Sequence, residues 1–502
     1  MTNSEGPIVG IDLGTTNSVV AAVIDGQPQV LAENGETILP SVVGVDAEGQ
    51  LMTGVVARNQ LAAFPDRTIA SIKRRMGAMD HVSLGDETFT PPEISAMILR
   101  RLRDRASRAL QQPVSRAVIT VPAFFDENQR QATREAGKLA GLQVERIINE
   151  PTAATLVYHA GSHDRKQIVV YDFGGGTFDV SVVRMEAGVV EVLSSKGDTQ
   201  LGGDDLDERL LNHVADQFQE EHQVDLRANA SHRHRLRQAC EQAKIRLSTE
   251  DSTQIIDGFI AENDGNPLNL NVTLTREEFE ELIAPLVERT ISSVDEALRD
   301  AELTIHQIDD LVLVGGSTRV PLVQRLLREE FLREPSRSVD PDLAVALGAA
   351  VQGAMLGGES VGPVLVDVTG HTLGIEVVDG MSLMGPNHVF SPIIHRNSPL
   401  PARHEESYSK MADEQEWAII HVLQGEHREI QRNRSIGEFT VDLAAGGGDR
   451  SKIVVRFDLT LDGTLKVTAT QPATGMSKEL NIDNALSHFQ ADERERAESR
   501  LG

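Results

Sequence analysis

The sequence predicts two related α/β lobes followed, near residue 360, by an antiparallel β-sandwich. Three observations indicate this fold. A hairpin of two apolar strands around a glycine turn occurs twice, strand and helix patterns alternate as far as Met355, and short alternating strands separated by turns run from Val364 to Ile482. Mixed α/β elements followed by an all-β run are typical of two separately packed regions.

The more glycine-rich hairpin lies at Ile168–Val183, IVVYDFGGGTFDVSVV. Its turn of three glycines lets backbone N–H groups approach a phosphate closely. Asp172 ends the first strand and would repel a phosphate unless a divalent cation with its water molecules lay between them. An ordinary glycine-rich turn is the alternative for this hairpin taken alone.

The other hairpin, Ile8–Val20 (IVGIDLGTTNSVV), repeats the arrangement, with Asp12 at the place that Asp172 occupies. A repeat whose period is a whole subdomain indicates two related lobes. Two such hairpins that face each other could hold one magnesium–nucleotide from opposite sides. The repeat therefore favours a nucleotide clamp over two unrelated turns.

Composition restricts the function classes. The hydrophobic share of 40% and the charged share of 25% are typical of globular proteins, and the net charge of −28 disfavours nucleic acid and anionic membranes as partners. Any phosphate site must therefore be local. The single Cys240 excludes an intrachain disulfide. The lack of a disulfide, of a recognisable signal peptide and of a membrane-length apolar run leads us to expect a cytoplasmic protein.

In the first lobe, Lys73 follows an apolar stretch beside Arg74 and Arg75, which makes it a candidate phosphate ligand as well as an ordinary surface charge. Glu150 stands between a strand and a proline, where it either caps a helix or serves the cleft. The other predicted elements of this lobe are a helix at Pro91–Gln112, a strand at Ala117–Val121, a helix at Asp126–Gly141 and a strand at Val144–Ile148.

In the second lobe, strand Asp310–Val314 meets a third glycine turn, GGSTR, before a helix. Free N–H groups and the positive helix end make this a common nucleotide contact. The predicted helices are Leu206–His222, Ser231–Ser248, Arg276–Asp300, Pro321–Phe331 and Asp340–Met355, and further strands are Gln254–Ile260 and Leu268–Leu274. The acidic segment Asn484–Leu501 is predicted to be helical and is too short to form a domain.

The motifs IDLGTTNS, VPAFFDENQRQAT, INEPTAA, YDFGGGTFDVS, LVGGSTRVP and HVLQGE, in this order, resemble those of the DnaK-type chaperones, the heat shock protein 70 family. The resemblance implies an actin-like ATPase of two ribonuclease-H-like halves (1–358), a linker (359–367), a β-sandwich that binds peptides (368–484) and a short helical remnant of a lid (485–502). It implies an ATP-dependent chaperone of protein folding and the stress response, which binds extended apolar segments of unfolded proteins.

The resemblance also implies ATP or ADP as ligand with Mg²⁺, and K⁺ as a further candidate ion. Asp12 and Asp172 would hold Mg²⁺ through water. The implied catalytic residues are Lys73, Glu150, Asp172 and Thr177. The implied nucleotide-binding residues are Gly14, Thr15, Thr16, Asn17, Gly174, Gly175, Gly176, Gly202, Gly203, Glu241, Lys244, Ser248, Gly315, Gly316, Ser317, Arg319 and Asp342.

Two further sets of residues follow from the resemblance. The relay between the nucleotide and peptide domains would comprise Pro122, Arg130, Arg146 and Asp367, of which the last two match positions that respond to a J-domain co-chaperone. The peptide cleft would comprise Ile375, Val377, Val378, Tyr408, Ser409, Met411, Ala418 and Ile420. A row of apolar residues on a strand is otherwise more typical of a core.

This sequence departs from the family pattern in several places. The segments after Lys73 and after the Glu241 helix are shorter than in DnaK, which disfavours dependence on an exchange factor. In this respect the sequence looks closer to the bacterial branch called HscC. Ile245 predicts an apolar adenine contact, as in bacterial relatives. Gly370-His371 replaces the usual Pro-Leu. Without most of the lid, we expect fast peptide exchange in both nucleotide states.

Two alternatives on the actin-like fold stay open from the sequence. A sugar-type small-molecule kinase would need a catalytic base facing an acceptor pocket, and it would leave the sandwich without a role. A filament-forming protein is disfavoured by the net charge of −28 and by the extra domain.

Overall fold

The structure is a computed structural model that describes residues 6–158, 165–336, 340–382, 385–461 and 463–482. Residues 6–158 form a first α/β unit, residues 165–366 form a second α/β unit, and residues 367–482 form an all-β region. The segment 485–502, predicted to be a helical remnant of a lid, lies outside the described residues.

The first unit is built on a mixed sheet of order β11-β10-β1-β2-β3, to which β4 is paired through β2. Its strands are β1 (Ile8–Asp12), β2 (Asn17–Ile24), β3 (Gln27–Val30), β4 (Leu39–Pro40), β5 (Val43–Val45), β6 (Leu51–Thr53), β7 (Thr68–Ile69), β8 (Val82–Leu84), β9 (Glu87–Phe89), β10 (Arg116–Val121) and β11 (Gln143–Asn149). Its helices are α1 (Val55–Gln60), α2 (Pro91–Leu110), α3 (Glu127–Leu139) and α4 (Glu150–Tyr158).

The second unit is built on a sheet of order β17-β12-β13-β14-β18. Its strands are β12 (Lys166–Phe173), β13 (Phe178–Glu186), β14 (Val189–Asp198), β15 (Ser252–Asn263), β16 (Asn266–Thr275), β17 (Asp310–Val314) and β18 (Val364–Val366). Its helices are α5 (Gly203–His222), α6 (Ala230–Leu247), α7 (Arg276–Asp300), α8 (Pro321–Phe331) and α9 (Ala344–Leu356).

The two sheets repeat one pattern of strand pairing. In the first unit, β1 pairs antiparallel with β2 and parallel with β10. In the second unit, β12 pairs antiparallel with β13 and parallel with β17. Both predicted hairpins are therefore confirmed, and each occupies the same place in its own sheet.

The predicted helix boundaries are largely confirmed because the sequence carries clear capping signals. Before α2, the Glu93 carboxylate accepts a hydrogen bond from the Thr90 backbone N–H at 2.8 Å, and Pro91 is the first helical residue. Before α3, the Asp126 side chain accepts from the Gln129 N–H at 3.0 Å. The bounds of α7 and α8 agree with the prediction at both ends.

One helix begins later than the sequence predicts. The segment Asp340–Met355 was expected to be helical from its start, but α9 begins at Ala344. The Asp340 carboxylate instead accepts the Asp342 N–H at 3.0 Å and the Arg319 guanidinium at 3.3 Å. These local bonds stabilise a turn ahead of the helix, as aspartate side chains often do.

Helix α9 joins the two units because its small residues allow very close packing. A Cβ atom on Gly348 would lie 1.7 Å from the Ala153 carbonyl oxygen of α4, and one on Gly10 of β1 would lie 2.1 Å from the Ala350 nitrogen. A shared core around α4 and α9 contains residues of both sheets, among them Val118 and Val170. The relative position of the two units is thus set by backbone contact.

The all-β region contains two four-stranded antiparallel sheets, of order β20-β19-β22-β23 and β21-β24-β25-β26. Their strands are β19 (Leu373–Ser382), β20 (Gly385–Ile394), β21 (Ala402–Ser409), β22 (Trp417–Gln424), β23 (Arg434–Asp442), β24 (Lys452–Leu459), β25 (Leu465–Gln471) and β26 (Met476–Asn481). Buried residues of both sheets, such as Val422 and Phe457, form one core.

The segment before the all-β region is itself a strand. Residues Val364–Val366 form β18, which pairs parallel with β14 at the edge of the second sheet. Leu365 is buried and belongs to the core between the units. The apolar character of the predicted linker is therefore explained by its place in a sheet.

We expect Gly348→Ala to destabilise the protein, because the new methyl group would overlap the Ala153 carbonyl oxygen of α4. The overlap would lower stability by about 1–3 kcal/mol or more. Thermal unfolding followed by circular dichroism would measure the effect. Gly258→Ala is the matched control, since a Cβ atom there would meet nothing within 4 Å. An equal melting temperature for both variants would contradict the packing argument.

Candidate functional site

A cavity of about 620 Å³ lies where the two glycine hairpins face each other. This volume is within the range of small-molecule and cofactor sites. Both hairpins contribute to its wall, together with the loop after β17 and the side of α6. The cavity is therefore formed jointly by the two α/β units.

Asp12 is the last residue of β1 and Asp172 is the last but one of β12, and both lie in the wall of this one cavity. Burial raises the pKa of Asp12 to about 7, and the nearby Glu150 carboxylate adds to the rise. Burial and Glu150 likewise raise the pKa of Asp172 well above its ordinary value. Carboxylates that are costly to ionise in isolation suit a site for a divalent cation, which would stabilise their charged form.

Lys73 and Glu150 form a buried ion pair beside these acids, with 2.5 Å between Nζ and Oε1. Lys73 belongs to a short 3₁₀ turn, Ile72–Arg75, and Glu150 is the first residue of α4. Burial acts to lower the pKa of Lys73, but the charges of Glu150 and Asp12 outweigh it and raise the pKa. Lys73 is thus a fixed positive charge in the cavity wall.

The glycines of the turns allow the two units to touch around the cavity. A Cβ atom on Gly175 would lie 2.0 Å from the Thr16 hydroxyl, and one on Gly203 would lie 2.8 Å from the Ser317 hydroxyl. Ser317 also donates to the Gly174 carbonyl at 2.8 Å. Three turns that are distant in sequence therefore form one continuous backbone surface, as phosphate binding requires.

Most of the predicted nucleotide-binding residues lie together in the cavity wall. The wall contains Gly14, Thr15, Thr16, Asn17, Gly174, Gly175, Gly203, Glu241, Lys244, Ser248, Gly315, Gly316, Ser317, Arg319 and Asp342, as well as Thr177. Gly176 and Gly202 are not part of the wall. They lie behind it, where a Cβ atom would contact Thr15 or the Gly175 backbone, respectively.

One end of the cavity is suited to a nucleoside rather than to phosphates. Helix α6 presents Ile245, which is 52% exposed and lies in the wall. Opposite charges are already paired there: Lys244 Nζ lies 2.8 Å from Asp207, and Arg319 lies 2.6 Å from Asp342. An exposed apolar side chain in the same wall as these charge pairs offers a neutral surface on which a flat base can pack.

A family model described as Hsp70 protein matches residues 8–83 and 78–500 of this sequence. The two matches together cover nearly the whole chain. The chain belongs to the Hsp70 family. Proteins of this family are ATP-dependent chaperones and ATPases that bind ATP or ADP with Mg²⁺. They typically bind unfolded peptides and J-domain co-chaperones.

Several cavity residues of this Hsp70 chain were missed by the sequence reasoning. Asp207 lies one turn into α5 and pairs with Lys244, and burial raises its pKa to about 6 in spite of that lysine. Asp204, Ile38 and Gln324 also lie in the wall. The only available signal was the acidic run after Gly203, which is equally typical of the first turn of any helix.

Asp179 is a further acid that was not predicted, and it lies behind the cavity wall rather than in it. It is buried in β13, and its Oδ1 accepts the Phe124 N–H at 3.1 Å. Burial and the Glu150 charge raise the pKa of Asp179 well above its ordinary value. It thus connects the second hairpin to the loop that follows β10.

That loop contacts the all-β region, and the four predicted relay residues lie in or next to this contact. Arg130 donates to the Asn149 Oδ1 at 2.6 Å, and the Asn149 amide donates to Asp367 at 3.1 Å. The Arg146 guanidinium lies 3.4 Å from the Leu461 carbonyl. Asn149 was not predicted, although it joins two relay residues.

Pro122 and His371 lie at the same contact. The Pro122 carbonyl accepts the Phe125 N–H at 3.1 Å, which shapes the loop. The His371 Nε2–H donates to the Phe124 carbonyl at 3.0 Å, and its ring lies 4.4 Å from the Phe124 ring. The backbone of Phe124 is therefore held through its N–H by Asp179 and through its carbonyl by His371.

The predicted peptide-cleft residues separate into two groups in the structure. Ile375 and Ile420 are 3% and 4% exposed and belong to the core of the all-β region. The others retain partial or full exposure: Val377, Val378, Tyr408, Ser409, Met411 and Ala418. The Tyr408 hydroxyl lies 3.0 Å from that of Ser391.

None of the helices that the structure describes has the length and hydropathy of a membrane span.

We expect Asn149→Ala to weaken the contact between the α/β units and the all-β region, because buried Asp367 would lose a hydrogen bond. A loss of this kind is worth about 1–3 kcal/mol. Limited proteolysis within residues 359–367 would report the release. Gln143→Ala, at an exposed position of the same strand β11, is the control. Equal cleavage rates for the two variants would contradict the role of Asn149.

Proposed function

We propose that this chain is a nucleotide-gated chaperone in which slow ATP hydrolysis changes the docking of a peptide-binding region. The observation that carries the proposal is the convergence of Asp12, Asp172 and the Lys73–Glu150 pair on one cavity between two related units. An ATPase site made by two separate units is well placed to change their contact when the nucleotide changes.

The chemistry proposed for the cavity is phosphoryl transfer from ATP to water. Mg²⁺, when bound, would neutralise part of the phosphate charge. Asp12 and Asp172 would hold the ion through water molecules. Lys73 would stabilise the charge that develops on the transferred phosphoryl group. Glu150, Asp172 and Thr177 would orient the attacking water. Positioning and electrostatics account for most of the rate in such reactions.

The domain boundaries are part of the proposal. We assign residues 1–358 to an actin-like ATPase domain with duplicated halves, 359–367 to a linker and 368–484 to a peptide-binding β-sandwich. The repeated strand pairing of β1, β2 and β10 by β12, β13 and β17 supports the duplication. The shared core of the two C-terminal sheets supports the sandwich.

For the peptide site, the exposures support a division of roles. Val377, Tyr408 and Ala418 are partly exposed and could contact a peptide directly, and exposed Met411 could cover it. Ile375 and Ile420 are buried, so they would form the floor of a cleft rather than its walls. Apolar peptides in extended form suit such a site, since a strand-like ligand presents alternate side chains to it.

A J-domain co-chaperone is the partner proposed for Arg146 and Asp367. Arg146 is partly exposed at the edge of the contact, whereas Asp367 is buried within it. Burial raises the pKa of Asp367, and the Asn149 amide and the Val368 N–H oppose that rise. A partner that needs Asp367 would therefore favour the released arrangement of the two regions.

We expect Lys73→Ala to reduce ATP hydrolysis about 100-fold or more, while ATP still binds, because a fixed charge is lost from the reacting end of the cavity. Single-turnover hydrolysis and calorimetric ATP titration measure the two effects separately. Arg75→Ala is the control, since Arg75 belongs to the same 3₁₀ turn but pairs with exposed Asp80. Lost binding with intact residual turnover would mean that the role of Lys73 is misassigned.

We expect an unfolded apolar peptide to stimulate steady-state ATP hydrolysis, because peptide binding and nucleotide state are proposed to be coupled. The assay compares the peptide with a charged peptide of equal length. A panel of sugars and polyols tests for phosphoryl transfer to an acceptor other than water. If a sugar stimulated ATP consumption and became phosphorylated, while the peptide had no effect, the protein would be a kinase and the chaperone proposal would be wrong.

We expect acid to weaken the docked arrangement through His371. Burial lowers the pKa of His371, although the Phe124 carbonyl, Asp126 and Glu426 act to raise it and Arg130 acts to lower it. When the regions separate, the pKa returns to about 6.5. Above pH 6.5, His371 is neutral in both states and its contribution to docking is complete. Below that pH the separated state takes up a proton first, so the contribution is lost as the pH falls to the lower pKa of the docked state.

The pH series is read by proteolysis within residues 359–367. His371→Gln keeps a hydrogen-bond donor but cannot titrate, so its cleavage should change less with pH than that of the unaltered protein. His404→Gln, at an exposed position of β21 away from this contact, controls for general histidine effects. Identical pH curves for the unaltered protein and His371→Gln would contradict the prediction.

A further inference from the structure

Three neighbouring strands of the C-terminal region bring together a serine, a histidine and a glutamate, none of which lines the nucleotide cavity. The His421 Nε2 lies 2.9 Å from the Ser435 Oγ, and the His421 Nδ1 lies 2.7 Å from the Glu376 Oε2. A second histidine, His388, contacts the other oxygen of Glu376 through its Nδ1. These four residues come from β23, β22, β19 and β20, so they cross the entire sheet.

The period of the strands explains why these side chains meet. On β22, Ala418, Ile420 and Val422 turn toward the core, so Trp417, Ile419 and His421 occupy the outer face. The register between β22 and β23 shifts after the pair Val422 and Gly437. Such a bulge re-aims nearby side chains, and here Ser435 lies within reach of His421.

The hydrogen-bond geometry fixes the direction of the relay. An ionised carboxylate only accepts, so the His421 Nδ1 that faces Glu376 carries a proton. In the neutral imidazole the Nε2 is then the acceptor for the Ser435 hydroxyl. Burial acts to raise the pKa of Glu376, but hydrogen bonds from His421 and His388 outweigh it and lower the pKa. Glu376 is therefore a carboxylate at neutral pH. A hydroxyl bonded to a base that is itself oriented by an acid is the signature of an activated nucleophile.

We propose that Ser435 is a nucleophile that is acylated by neutral carboxylic esters, with His421 as general base and Glu376 as its positioning residue. This activity is separate from the proposed chaperone cycle, since none of the three residues lies at the nucleotide cavity.

The surface beside His421 indicates the class of ester. Ile419 and Trp417, the single tryptophan of the sequence, are 49% and 55% exposed and follow His421 along the same face. Successive outward residues of a strand are about 6.6 Å apart, so these two side chains extend an apolar track away from the serine. The pairing register places Glu438, Thr440 and Asp442 beside this track. The two acids would repel an anionic substrate, which favours an uncharged ester with an apolar acyl chain.

The acylation step balances without any co-reactant other than the ester. The Ser435 Oγ attacks the carbonyl carbon and its proton passes to the His421 Nε2. The Oγ–C bond forms, the bond from that carbon to the alcohol oxygen breaks, and His421 returns the proton to the leaving alcohol. Water then attacks the acyl-serine with His421 again as base. The carboxylic acid is released and the Ser435 hydroxyl is restored.

The test uses the full chain with p-nitrophenyl acetate and p-nitrophenyl octanoate. We expect release of p-nitrophenolate together with an acyl group on the peptide that contains Ser435, found by mass spectrometry. General-base catalysis typically contributes about 10²–10⁴-fold, so Ser435→Ala and His421→Gln should each lower the acylation rate by at least about 100-fold. Trp417→Ala should lower the preference for octanoate over acetate.

The controls separate a nucleophile from a structural serine. Ser407→Ala removes an exposed serine of the other sheet and should leave acylation unchanged. Ser435→Cys should still be acylated at residue 435, since a thiol replaces the hydroxyl as nucleophile. Melting temperature and ATP hydrolysis verify that each variant is folded. Acyl groups scattered over lysines and serines, or undiminished acylation in folded Ser435→Ala, would overturn the proposal.

Discussion

The structure depends above all on a group of buried acids that share one lysine. Burial and the nearby Glu150 carboxylate raise the pKa values of Asp12, Asp172 and Asp179, and Lys73 is the positive charge that the structure places among them. Buried charges without full compensation cost several kcal/mol each. A bound cation and nucleotide would offset that cost only while both hairpins remain in place. Ligand binding and closure of the two units are therefore linked by electrostatics.

The backbone of a single residue, Phe124, connects this acidic site to the C-terminal region. The Phe124 N–H is held by Asp179 of the second hairpin, and the Phe124 carbonyl is held by His371. A movement of the hairpin changes the first bond and hence the position of the acceptor for the second. Close packing limits the room for gradual adjustment, so interfaces of this kind tend to exchange between discrete arrangements.

The sequence could predict features that depend on local pattern or on repetition. Both hairpins, the meeting of Asp12 and Asp172, and the bounds of α7 follow from period, capping and the internal repeat. Features that depend on partners distant in sequence could not be predicted. The Asn149 bridge requires knowledge that Asp367 lies beside it. The inward side of Ile375 follows only once a second sheet covers that face, because a period of two identifies two faces without saying which is buried.

The linker strand shows how composition and docking are related in this fold. Leu365, buried in this arrangement, would expose an apolar side chain in a free linker, and the Val364 N–H bonds to the Gly188 carbonyl at 2.9 Å. The edge of β14 would otherwise present unpaired backbone groups to solvent, which proteins generally avoid. Release of β18 thus exposes both an apolar segment and a sheet edge, and each favours return to the docked state. A partner that held the regions apart would need to cover these same two surfaces, and it would therefore compete with β18 for one strand position.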